Sequence, residues 1–255
     1  MDSYKTTFNS NGYVIIKNFF SAEEGENIVK YSNEIEEWEE KAYNWMIYFE
    51  NNKKKSRIEN FIQYHDHLRD LLNKKIKPIV NKIYGKNMIL FKDKLNWKYG
   101  NGKGFKPHQD HPAWIDFDPD RYISVAIFAN KCTEENGCLE FGISGTRFTN
   151  ICEYNKNGLG EILPDIENSL KWIPATSTPR DILMFDSYVP HRSHSNKTNS
   201  PRRIFYFTFN EEKYGDLYDI YLKQKRKEFP PDIERIDDDS VKIEGNKYNL
   251  ANPMV

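Results

Sequence analysis

Ile89-Leu-Phe-Lys-Asp-Lys-Leu-Asn-Trp-Lys-Tyr99 is the stretch whose reading decides the fold. Successive side chains of a strand point to opposite faces. An extended chain here therefore puts Lys92, Lys94, Asn96 and Lys98 on one face, and Ile89, Phe91, Leu95 and Trp97 on the other. Further short runs follow, separated by Gly, Asn, Asp and Pro clusters: Tyr122–Ala129, Leu139–Phe141, Ile182–Phe185 and Ile204–Phe209. Several short antiparallel strands at such spacing are the grammar of a jelly roll or sandwich. The expected class is mainly β with flanking helices, and the stripe Phe205, Phe207, Phe209 is read as core.

Upstream the period changes. After a short strand Tyr13–Ile16, Ser21-Ala-Glu-Glu24 has the form of a capping box, and Ile28, Tyr31, Ile35 and Trp38 follow at helical spacing. A second helical region is predicted from about Arg57 to Tyr84, with Pro78 kinking or dividing it. Lys53–Lys55 reads as a solvated linker, and the charged tail after Lys223, with Pro230-Pro231 and an Asp run at 237–239, as irregular structure laid over the domain. One domain over residues 1–255 is expected: a strand and helices to residue 87, a jelly-roll core over 88–210, and an extension over 211–255.

Composition narrows the function classes. Sixteen Tyr, sixteen Phe and five Trp favour a β-rich core and an aromatic pocket. A net charge of −1 gives no general argument for nucleic acid or an anionic membrane, and no stretch approaches eighteen apolar residues. Cys132, Cys138 and Cys152 are odd in number and lack CxxC spacing, which predicts a reducing compartment and a soluble, cytoplasmic protein. Neither nucleic acid nor membrane is expected as a partner, and monomer and homodimer both stay open.

The chemistry concentrates in three places. His108-Gln-Asp110 sets an imidazole and a carboxylate two residues apart, able to share one metal on an extended chain. A HxD alone is weak, because ordinary hydrogen-bonded histidines outnumber ligands. Far downstream, the apolar strand Asp181-Ile-Leu-Met-Phe185 leads to His191, and Arg202 lies eleven residues beyond it, at the start of another apolar strand. Two His and one carboxylate leave open positions on an octahedral metal, the arrangement suited to Fe(II) oxygenases. A planar guanidinium at Arg202 is suited to a two-point grip on a buried carboxylate. His111 and His194 are competing ligands, and a His108/His111 or His191/His194 pair holding zinc is the alternative. His65 and His67 are read as satisfied surface histidines.

These residues, together with Gly12-Tyr-Val-Ile-Ile-Lys-Asn-Phe-Phe-Ser21 and Asn136-Gly-Cys-Leu-Glu140, resemble the phytanoyl-CoA dioxygenase-like group of Fe(II)/2-oxoglutarate oxygenases over most of the chain. The resemblance implies a double-stranded β-helix, the cupin-like jelly roll, with the N-terminal helices packed on one sheet. It implies Fe(II) on His108, Asp110 and His191, 2-oxoglutarate against Asn96, Ser193 and Arg202, and O2 as co-reactant. Lys94-Leu-Asn96-Trp-Lys98 and His108-Gln-Asp110-His-Pro-Ala-Trp114 look closest to ectoine hydroxylases and hydroxylases of small aminophosphonates, which implies that Lys94 and Trp114 face the substrate. Asp110 departs from relatives that transfer chloride, which carry a small residue at this carboxylate position. Gly142-Ile-Ser-Gly-Thr-Arg147 departs from the usual Pro-Gly-Ser-His, and the loop between residues 148 and 180 has no counterpart.

The lysine face of the first strand bears on the substrate. Inward lysines are costly unless anions meet them, so Lys94 and Lys98 point to a small anionic or zwitterionic metabolite, hydroxylated with release of succinate and CO2. A solvated face is the competing explanation. The alternatives in function are the same iron chemistry on a larger acyl thioester or natural product, by hydroxylation, desaturation or cyclisation, and a non-catalytic metal-binding jelly roll.

Overall fold

The alternation is realised as two antiparallel sheets in the computed structural model, which describes residues 2–50, 54–143 and 162–235. In chain order, α1 (Asp2–Asn11) leads into β1 (Tyr13–Ile16), α2 (Ala22–Glu36), β2 (Met46–Glu50), β3 (Lys54–Glu59), α3 (Asp66–Leu71) and α4 (Lys77–Tyr84). Then come β4 (Met88–Lys98), β5 (Phe105–His108), β6 (Ile123–Phe128), β7 (Leu139–Ile143), α5 (Pro164–Ser169), β8 (Lys171–Pro174), β9 (Ile182–Asp186), β10 (His191–Ser193), β11 (Arg202–Glu211) and α6 (Tyr218–Glu228). The large sheet runs β1-β9-β6-β11-β4-β3-β2 and the small one β5-β10-β7-β8.

Strand parity sorts the two faces of the large sheet. Phe205, Phe207, Val125, Leu95 and Trp97 share one buried cluster with Ile28, Ile35, Leu68, Ile79 and Ile83 of the helices. The opposite face sends Ile204, Ala126, Phe128, Leu183 and Phe185 against Leu139 and Phe141 of the small sheet. β1, β6, β9 and β11 thus bury both faces, one under helices and one under the second sheet. The phenylalanine stripe is core on the helix side.

Local signals account for the helix starts. Ser21 caps α2 with both capping-box bonds formed, Glu24 N to Ser21 Oγ at 3.1 Å and Ser21 N to Glu24 Oε2 at 2.7 Å. The second helical region starts at Asp66 rather than near Arg57, with the His65 ring accepting from Leu68 N at 3.2 Å. His65 is therefore buried and satisfied, not on the surface. Just before Pro78 the chain passes through a π-helical turn, Leu72–Ile76, and Pro78 sits in the first turn of α4, where its missing N–H costs little.

Three segments correct the sequence reading. Lys54 and Lys55 are not linker: they open β3, and the Lys55 ammonium donates to Glu36 O, the last carbonyl of α2, and to Trp38 O just beyond the helix. Arg57 and Glu59 lie in β3, paired in register with Asn96 and Lys94. The chain also stays helical past Lys223, to Glu228, and buries Lys225. In each case long-range pairing overrides a local pattern. Lys53, residues 144–161 with Cys152, and the residues beyond 235 lie outside the described residues. Cys132 and Cys138 are buried and free. Among the described residues no helix is long and apolar enough to cross a membrane.

Candidate active site

His108 ends β5 and His191 begins β10, and the two are direct partners across the small sheet, with ring centroids 4.2 Å apart. Asp110 is not on the strand as the i, i+2 argument assumed. It has turned into helical backbone at the start of the 3-10 turn His111–Trp114, and that turn swings its carboxylate back over the imidazoles. Asp110 Oδ1 lies 3.8 Å from His108 Nε2 and 3.7 Å from His191 Nε2. Both rings donate from Nδ1 to backbone, His108 to Lys106 O at 2.7 Å and His191 to Val189 O at 3.1 Å, which aims both Nε2 lone pairs at the carboxylate. Burial first, and His191 second, push the His108 imidazole down to about 4, so it is neutral and free to ligate at ordinary pH. The ligand atoms of the three residues all lie within 4.8 Å of one another, and the donor set fits Fe(II). The rival histidines sit elsewhere: His111 stacks on Tyr188 at 4.1 Å, and His194 is exposed beside Glu140.

A second cationic centre lies where β4 and β11 pair. Arg202 and Lys98 are register partners, and both are buried. Arg202 Nη1 donates to Gly137 O at 2.9 Å, while its Nε has no hydrogen-bond partner. Lys98 Nζ donates to Ser193 Oγ at 2.7 Å and to His194 O at 2.6 Å. Burial first, and Arg202 second, push the Lys98 ammonium down to about 6. Two buried cations without a carboxylate between them fit the far carboxylate of 2-oxoglutarate. Asn96, one rung closer to the metal, is buried with its Oδ1 unpartnered. Lys98 thus belongs with Ser193 and Arg202 rather than with the cavity that Lys94 lines.

That cavity joins the metal cluster to a charged chamber between β3, β4 and α6. Lys94 and Trp114 line it, with Lys92 from the same lysine face of β4, and so do Arg57, Glu59 and Lys225, which the sequence reading did not place in the site. Lys92 lies over the rings of Trp114 and Tyr221, at 5.1 Å and 5.2 Å, and Lys94 over Tyr206 at 4.8 Å. Glu59 is ion-paired with Lys225 and sits 3.4 Å from Arg57 Nε, and its Oε2 accepts from Tyr221 at 3.2 Å. Burial alone would raise the Glu59 carboxyl, but Lys225, Lys92 and Arg57 outweigh it and hold it well below the usual carboxylate range. Burial first, and Lys92 second, push the Lys94 ammonium down to about 7. The missed signal for Arg57 and Glu59 was their own alternation around Ile58; Lys225 offered none.

Comparison with known proteins places the chain. The model of the family described as Phytanoyl-CoA dioxygenase (PhyH) matches residues 8–204. The chain belongs to that family. As a phytanoyl-CoA dioxygenase family member it is a 2-oxoglutarate-dependent dioxygenase. It is 34% identical over 256 residues to a 2-aminoethylphosphonate dioxygenase from uncultured bacterium HF130_AEPn_1, covering 98% of this chain and 97% of that protein. It is 34% identical over 232 residues to a methylphosphonate hydroxylase from Gimesia maris, covering 89% of this chain and 87% of that one. In fold it is similar to EctD from S. alaskensis, solved with 2-oxoglutarate and 5-hydroxyectoine: TM-score 0.71, 19% identity, 84% of this chain and 77% of the other.

Proposed function

We propose that this family member hydroxylates a small organophosphonate, with iron on His108, Asp110 and His191 and with 2-oxoglutarate anchored by Arg202, Ser193, Lys98 and Asn96. When bound, iron and 2-oxoglutarate supply the oxidising power: 2-oxoglutarate and O2 become succinate and CO2 while one oxygen atom enters a substrate C–H bond.

The observation that carries the substrate class is the state of Lys92 and Lys94. Lys92 is buried and Lys94 half-buried, both border the cavity beside the metal ligands, and neither has a hydrogen bond or an ion pair among the described residues. Other cations of the same cavity are neutralised: Arg192 forks between Glu140 and Glu167, at 2.7 Å each, and Lys225 meets Glu59. Ammoniums withdrawn from water against aromatic rings, with carboxylates near but none in direct contact, are suited to an incoming anion. Two of them suit a phosphonate, which carries up to two negative charges. The names of the two similar curated proteins, both acting on phosphonates, support the same reading.

In this reading Lys92 and Lys94 bind the phosphonate and fix its distance from the metal ligands. Trp114, Phe185 and Tyr206 line the cavity and exclude water. The test is succinate release with Fe(II), 2-oxoglutarate and O2, comparing methylphosphonate and 2-aminoethylphosphonate with acetate, β-alanine and an acyl thioester. Phosphonate-dependent succinate with a hydroxylated product is expected. Release with only the carboxylates or the thioester would overturn the assignment.

A further inference from the structure

The chamber holds more charge than a ligand needs, and one residue decides how much of it reaches the ligand. Glu59 is the register partner of Lys94 across β3 and β4, so its carboxylate starts beside the same face from which Lys92 and Lys94 project. A carboxylate there is a built-in competitor for the two ammoniums. It is engaged elsewhere: Lys225 pairs with one of its oxygens, with Arg57 Nε 3.4 Å from the same atom, and the Tyr221 hydroxyl donates to the other at 3.2 Å. Lys225 and Tyr221 both come from α6, beyond the end of the family match at residue 204. Lys225 is 1% exposed, in a helix whose other basic side chains are more exposed.

We propose that Lys225 is a specificity-determining positioning residue: together with Arg57 it sequesters Glu59, and so leaves Lys92 and Lys94 available to a doubly charged phosphonate. The inference rests on the phosphonate reading above and adds to it a role for the C-terminal helix. Four cations (Arg57, Lys92, Lys94 and Lys225) surround the one carboxylate of Glu59. Removing the Lys225 charge frees Glu59 to turn toward Lys92 and Lys94, where it repels the incoming anion and occupies its partners. Removing Glu59 together with Lys225 takes away competitor and neutraliser at once, and the two receptor lysines are again available. A merely structural ion pair would also regain stability when both partners are removed, so the readout that separates the roles is the phosphonate KM: a structural role moves the thermal midpoint and leaves that KM and the phosphonate affinity unchanged.

The experiment measures equilibrium binding of methylphosphonate, with inorganic phosphate as a second probe, to the Fe(II)- and 2-oxoglutarate-loaded protein without O2, alongside KM and kcat with O2. Lys225→Met is expected to weaken methylphosphonate binding by at least about tenfold, the scale of one charge-assisted contact, with the loss appearing in KM for the phosphonate. The double variant Glu59→Gln/Lys225→Met is expected to recover to within about threefold of the unmodified protein, on the scale at which uncoupled changes add. Binding by Lys225→Met within twofold of the unmodified protein, or a double variant no better than Lys225→Met, overturns the proposal. If Lys225→Met does not fold, the double variant decides alone: near-native phosphonate binding supports the role and a tenfold loss refutes it. An unmodified protein that neither binds nor turns over any phosphonate would instead sink the functional reading itself, so the two failures are distinguishable.

Discussion

Replacing Arg202 by Met separates cosubstrate binding from fold stability, because the structure makes opposite demands on the two. The guanidinium has one hydrogen bond, to Gly137 O, and its register partner is another buried cation, Lys98. In the protein without ligands, Arg202→Met removes a charge that repels Lys98 and leaves Gly137 O with Lys98 Nζ at 3.5 Å as a weaker donor. Those effects nearly offset, so the midpoint of the ligand-free variant should stay within about 3 °C of the original, on the order of 1 kcal/mol for a chain of this size. For 2-oxoglutarate nothing offsets the loss. Two charge-assisted bonds from one guanidinium are together worth about 3 kcal/mol, which is on the order of a hundredfold in affinity. The assay is anaerobic titration of 2-oxoglutarate into the Fe(II) protein, read as the visible metal-to-ligand charge-transfer band, with thermal midpoints measured with and without the cosubstrate. A variant that binds 2-oxoglutarate within threefold of the original would refute the assignment. So would one that loses its fold without ligand while keeping cosubstrate affinity, since Arg202 would then be a structural residue.

Other perturbations test other parts of the site. Lys94 titrates near 7, so its charge is present below that pH and lost above it: phosphonate kcat/KM should fall as pH rises through about 7, and Lys94→Arg should abolish that fall. The stability sign is the reverse, because the unfolded chain holds the Lys94 proton up to about 10.5; the contribution to stability should rise with pH between the two values, seen as a rising denaturation midpoint that flattens in Lys94→Met. Gly137 has φ +70°, and a Cβ there would meet His194 O at 2.2 Å and Lys98 Nζ at 3.1 Å; Gly137→Ala should lower stability by more than about 1 kcal/mol in urea unfolding and weaken 2-oxoglutarate binding as well. Because Lys92 and Lys94 at one end of the site and Lys98 and Arg202 at the other are proposed to receive anions, phosphate should raise the thermal midpoint more than chloride at equal ionic strength, and equal midpoints in the two salts would contradict that expectation.

The parts of this protein legible in its sequence are those whose determinants are local. Ser21 and Glu24 announce α2 because the capping bonds span three residues, and β4 announces both its faces because the pleat alone sorts Lys94 and Asn96 from Leu95 and Trp97. His108, Asp110 and His191 were readable for a different reason: strand-end histidines and a carboxylate two residues on are rare enough to notice together, even though the strand geometry first invoked for Asp110 gave way to a 3-10 turn. What escaped reading depends on partners far away in the chain. Lys54–Glu59 begins with the composition of a solvated segment and becomes a strand because β2 and β4 are there to pair with.

The two halves of the site therefore follow different logic. In the proposed site, the metal and cosubstrate end comes from short segments of β4, β5, β10 and β11, and it can be written as a motif. The substrate end is set by a charge balance shared among β3, β4 and α6, in which no single residue has a meaning of its own: Glu59 without Lys225 is a competitor for the anion, and Lys225 without Glu59 is one more buried cation. Buried charges are tolerated only as a set, since each costs several kcal/mol unless its neighbours compensate it. Specificity built this way can shift by a substitution on any of the three elements while the iron ligands stay fixed. On the proposal above, the choice of anion can therefore change at Lys225, a residue outside every motif, without any change at His108, Asp110 or His191.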